Sequence, residues 1–84
     1  MRKETVFING EKIDVYGAKN DMYGNPRYIV HYLALGLDDY ESTKQTRSAG
    51  LKKYRGKDFG GGFVFQSYNV QASMEKIMQK LSDF

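Results

Sequence analysis

At 84 residues with no cysteine, the chain is one domain with no disulfide staple and no thiolate metal site, so its core alone must hold it. Its 13 Lys+Arg against 10 Asp+Glu give a modest net charge of +3. No apolar run approaches the roughly 20 residues of a membrane span, and the opening MRKETVFING lacks the apolar stretch of a secretory signal; the expected location is the cytoplasm, with no membrane partner.

Thr5 to Ile8 reads as a short strand, and Asn9-Gly10 after it is a hairpin signal, because both central positions of a type I′ turn need positive φ. Glu11 to Tyr16 is the returning strand. A two-residue turn pairs Ile8 with Glu11 and Val6 with Ile13, which puts Val6, Ile8, Ile13 and Val15 on one face. Phe7, Lys12, Asp14 and Tyr16 take the other, wetter face.

Gly17 to Pro26 is a loop by composition. Arg27 to Leu35 (RYIVHYLAL) is β-branched and aromatic on both faces and is expected as a central strand. Gly36 to Thr43 is an acidic turn. Thr43 or Thr46 then caps a short helix with Arg47 to Tyr54 as its body, Gly50 within it costing up to about 1 kcal/mol. Arg55 to Gly62 is a glycine-rich connection, and Phe63 to Tyr68 a further strand. Asn69 caps a last helix whose apolar stripe is Val70, Met74, Ile77, Met78 and Leu81. The expected fold is α+β, a small antiparallel sheet of three to four strands with a C-terminal helix packed on one face, in the order β-β-β-short α-β-α.

The charge is unevenly placed. Lys44, Arg47, Lys52, Lys53, Arg55 and Lys57 lie within 14 residues that hold no acid, leaving 7 basic against 10 acidic groups elsewhere, net −3. Lys and Arg in such density release counterions from a phosphate backbone, and neighbouring aromatics stack on bases. Tyr54 lies within the stretch, Phe59 and Tyr40 flank it, and Arg27 is expected to join the same patch. On this reading the six cations share one exposed side, unpaired with Asp38, Asp39, Glu41 or Asp58. The bland alternative is a solvated loop, since no helix-turn-helix, zinc-finger or RNA-binding signature accompanies the charge.

Other motifs are quieter. Gly60-Gly61-Gly62 lacks the spacing of a nucleotide fingerprint and precedes a strand, so it reads as a loop or bulge. His31, the single histidine, reads as a packing residue with one hydrogen bond. No nucleophile, base and orienting group occur together, so no enzyme and no cofactor are expected. Asp38, Asp39 and Glu41 lack the alternation of a calcium loop.

Gly24-Asn25-Pro26-Arg27-Tyr28 opening a strand, then Thr46-Arg47-Ser48-Ala49-Gly50 and Tyr54, resembles a group of small proteins of phages, prophages and other mobile elements. The likeness spans about Asp21 to Tyr68. It implies a soluble accessory protein acting inside a bacterial cell and assigns no functional residue. Two functions follow as expectations. One is a non-enzymatic accessory protein contacting nucleic acid through residues 44–57. The other is a protein-binding module or inhibitor of a host or defence protein, with Phe7, Tyr16 and Tyr40 as its exposed aromatics. A homodimer stays open.

Overall fold

The computed structural model describes residues 2–56 and 59–83. The first hairpin joins β1 (Lys3–Ile8) to β2 (Glu11–Ala18) in the register the turn dictates, Ile8 opposite Glu11 and Val6 opposite Ile13. Asn9 and Gly10 both have positive φ, 51° and 80°, as a type I′ turn requires. Val6, Ile8, Ile13 and Val15 are buried while Phe7 stands out in solvent.

β3 (Arg27–His31) is shorter than its apolar run suggests. The His31 side chain turns back, and its Nδ1 accepts the Leu33 amide hydrogen at 3.2 Å. That bond starts a 3₁₀ turn over Tyr32–Leu35, which Gly36 closes at φ 77°. The expected strand to Leu35 therefore ends four residues early. Leu35 still reaches the core, but from a turn.

The short helix also sits elsewhere than expected. α1 is Lys44–Ser48, capped by Thr43, whose Oγ1 accepts the Thr46 amide while the Thr46 hydroxyl oxygen accepts the Thr43 amide. Gly50 lies beyond the helix, not inside it. With φ 79° it donates to the Arg47 carbonyl, and Leu51 donates to the Thr46 carbonyl, both at 3.0 Å. These are the paired bonds of a Schellman end, which glycine alone adopts without strain. The chain then extends as β4 (Lys52–Tyr54). β5 (Gly62–Gln66) follows, and α2 (Val70–Ser82) starts from the Asn69 cap, whose side chain accepts the Ala72 amide.

The sheet thus has five strands, all neighbours antiparallel, in the order β1-β2-β3-β5-β4. The chain leaves β3, crosses through α1 to the far edge, and returns as β5 between them. Val30, Tyr28, Phe63 and Phe65 continue the apolar face of the hairpin, and Met74, Ile77 and Leu81 of α2 close over it. Gln71 fastens α2 to the outer edge: its amide oxygen accepts the Phe7 amide hydrogen at 3.1 Å and its nitrogen donates to the Phe7 carbonyl at 2.8 Å. A side-chain amide thereby occupies hydrogen-bonding groups that an edge strand otherwise offers to another chain.

The opposite face is covered in part by the glycine-rich connection. Phe59 packs edge-on against Tyr16 at 5.2 Å and Tyr54 at 6.1 Å, and beside His31 at 5.9 Å. Ile29 beside them on this face is 1% exposed. Gly62 makes the approach feasible, since a Cβ there would lie 2.7 Å from the Phe59 ring and 3.0 Å from the Val30 carbonyl oxygen. Gly62, and Gly61 beside the Tyr40 ring, thus act as close-packing positions.

Candidate functional site

β3 and β5 run antiparallel, Arg27 opposite Gln66 at one end and His31 opposite Gly62 at the other. Each end carries a loop system with its own chemistry.

At the Arg27 end, Asp21 organises the loop. One carboxylate oxygen accepts the backbone amides of Tyr23 and Asn25, each at 2.9 Å, and the other accepts the Asn25 side-chain amide at 3.0 Å. The Asp21 amide donates to the Asn25 carbonyl and Gly24 donates back to the Asp21 carbonyl. The Tyr68 hydroxyl donates to the Asn25 side-chain oxygen, tying the start of α2 to the loop. The Asp21 carboxyl is held below its ordinary value first by the Asn25 backbone hydrogen bond and then by the Asn25 side chain, with Tyr23 and Arg27 adding to the effect against some desolvation. With its polar groups spent inward, the loop turns Met22 and Tyr23 outward at 87% and 82% exposure, with Tyr68 also exposed. Lys19 is exposed beside them, and the Arg27 Nε donates to the Lys19 carbonyl at 2.8 Å.

At the His31 end the basic stretch arrives divided. Lys44 and Arg47 are exposed on α1. Lys52 and Lys53 are consecutive strand residues and point to opposite faces, Lys52 with Val64 and Lys53 with Phe63. Lys53 is paired with Glu41 at 3.1 Å and lies 4.6 Å from the Tyr40 ring centroid. Arg55 is exposed beyond the strand, and Tyr54 is half-buried against Phe59. Arg27 stands at the other end of β3, on the sheet face that carries Lys52, and lines one cavity with Tyr54. Lys57 and Asp58 lie outside the described residues. The expectation of one exposed side with no acidic partner therefore fails at Lys53, which pairs with Glu41 and leaves β4 on the face opposite Lys52.

Three residues that carry the most exposed apolar surface, Met22, Tyr23 and Tyr68, were missed by the sequence reading. The available signal was two apolar residues inside a polar loop, with Asp21 four positions before Asn25. Of the aromatics expected outside, Phe7 is 62% and Tyr40 38% exposed, whereas Tyr16 is half-buried against Phe59. His31 stacks on Tyr32 at 4.7 Å and spends its Nδ1 on the turn. Among the described residues no cluster of His, Asp and Glu is arranged to hold a metal ion, and no helix is long and apolar enough to cross a membrane.

These features define a small antiparallel α+β domain with a different loop system at each end of its central strands. The chain belongs to the family described as Staphylococcus phage terminal repeat-encoded protein TreK, which matches residues 6–84. No curated protein and no solved structure matches it. The phage origin that the resemblance implied is thereby established at the level of the family.

Proposed function

We propose that this phage protein is a non-enzymatic accessory module that binds another protein through the loop fastened by Asp21, as an inhibitor or adaptor of a host or defence protein. The observation that carries this reading is the exposure of Met22 and Tyr23 on a loop whose backbone is already held by hydrogen bonds. Large apolar side chains clustered in water mark interaction sites more often than chance. Tyrosine on a rigid backbone is a favoured anchor, because little conformational freedom remains to be lost on binding. Lys19 and Arg27 flank the tip while Asp21 is consumed internally, so the partner surface is an apolar pocket rimmed by carboxylates. Nucleic-acid contact by the whole 44–57 stretch is the weaker reading, because its cations are divided between α1 and the two faces of β4.

The test places a photo-crosslinking phenylalanine analogue at Tyr23, and at Lys12 as a control, during infection of staphylococcal cells. A discrete protein adduct is expected at Tyr23 and not at Lys12. The adducted protein, once purified, should bind the parent chain and lose at least about tenfold in affinity to Met22→Ser/Tyr23→Ser, about 1.4 kcal/mol, with melting unchanged. Equal adducts at both positions, crosslinking to a second copy or to nucleic acid, or undiminished binding by the double variant would overturn the proposal.

A further inference from the structure

The His31 end holds a cleft of about 580 Å³ that the protein-binding reading does not use. Tyr40, Lys53, Tyr54 and Arg55 line it, and Gly56, Gly60 and Gly61 line it without side chains. Gly61 has φ 116°, and a Cβ there would lie 3.0 Å from the Tyr40 ring, so any larger residue would crowd the cleft. The Tyr40 ring remains 38% exposed, with the Lys53 ammonium 4.6 Å from its centre. Lys53 is shared with Glu41, whose side chain is 70% exposed.

We propose that this cleft binds a nucleotide unit of a single-stranded nucleic acid, the base lying against Tyr40 and the phosphate reaching Arg55 and Lys53. An aromatic face with room beside it takes an unstacked base of any identity. Gly60, exposed and without a side chain, lets the strand approach closely. A duplex is disfavoured on the same observations: its bases are stacked away from Tyr40, and tracking its backbone needs an array of cations on one surface. Here Lys52 and Lys53 leave β4 on opposite faces. Glu41 acts as a competitor, because the phosphate must displace it from Lys53. The site is independent of the Asp21 loop, and either assignment stands if the other fails.

Fluorescence anisotropy decides it, with a short labelled oligothymidylate, the matching oligouridylate and a DNA duplex of equal length at about 20 mM salt, where phosphate contacts are strongest. Both single strands, or one of them, should bind more tightly than the duplex. Tyr40→Ala should weaken binding about tenfold, and Tyr40→Phe, which keeps the ring, should not. Arg55→Gln should weaken it and reduce the slope of log affinity against log salt by about 0.7. Glu41→Gln should tighten it several-fold by freeing Lys53. No binding of either single strand, duplex binding as tight or tighter, or Tyr40→Ala with parental affinity and parental melting would overturn the assignment.

Discussion

The two ends of the central strands are built from similar residues and solve opposite problems. Four strand steps of β3, about 13 Å, separate them. At the Arg27 end, Asn, Asp and Gly bond the loop to itself: the Asp21 carboxylate gathers amides from Tyr23 and Asn25, and the apolar side chains are left facing outward. At the His31 end, Gly61 and Gly62 have no side chain to fasten anything and allow close approach instead. They bring Phe59 onto the sheet and leave Tyr40 beside an open cleft. Polar fastening presents side chains to solvent, whereas missing side chains draw rings inward. Composition alone marks both stretches as loops and does not distinguish them.

Both ends rest on one shared core, and the largest expected effect comes from damaging it. Ile77 is buried beneath α2 against the sheet face common to both ends. Ile77→Ala should cost about 2–4 kcal/mol, a large share of the stability of a domain this small. Thermal melting should fall by about 8–30 degrees, with amides at both ends losing protection together. If melting moves by only a degree or two, α2 does not clamp the sheet as described. If one end opens while the other holds, the two ends are separate cooperative units.

A smaller and local effect is expected from Asp21. Asp21→Ala removes the acceptor of three hydrogen bonds at a half-buried site, so amide exchange at Tyr23 and Asn25 should quicken while the His31 end is untouched. The pH dependence has a definite sign. The Asp21 carboxyl is held below its ordinary 3.8 in the folded loop, so its contribution is present above that value and is lost as pH falls through the lowered one. Amide shifts of Tyr23 and Asn25 should therefore stay constant at neutral pH and move only in strong acid. A midpoint above 3.8 would show that the carboxylate is not the fastening group.

How far the sequence reaches is clearest at particular residues. The hairpin was legible to the register, because Asn9-Gly10 fixes the turn and the turn fixes which residues face inward. α2 was legible from its cap and stripe, and Met74 and Ile77 are buried as that stripe requires. The phage context was legible at the level of the family. Gly50 misled the reading of the middle, because a glycine was charged to the helix interior when it terminates the helix. The buried Leu51 after it was the sign of a Schellman end. Correcting that one residue shortens the helix, frees Lys52–Tyr54 for the fifth strand, and splits the basic stretch across a sheet. His31 misled in the same way, since its side chain, not its strand propensity, decides where β3 ends. The Met22–Tyr23 surface left only a faint trace, two apolar residues in a polar loop, because its exposure rests on a carboxylate folding back on its own loop, which composition does not encode.

The smallest effect concerns Lys53 and Glu41, and it sharpens the claim that rings and close backbone packing, not charge, shape the His31 end. The Lys53 side chain is 25% exposed and that of Glu41 70%, so water screens the pair and ordering two flexible side chains opposes it. The Tyr40 ring under the ammonium adds a contact of about 0.5–1 kcal/mol at such an exposed site. A double-mutant cycle of Lys53→Gln and Glu41→Gln should return a coupling of about 0.2–1 kcal/mol, shrinking further at high salt. Tyr40→Phe should leave that coupling unchanged, because the ring that receives the ammonium is retained. A coupling above about 2 kcal/mol, insensitive to salt, would mean that the ion pair closes the cleft as a structural latch, and the His31 end would then be fastened by charge as the Arg27 end is.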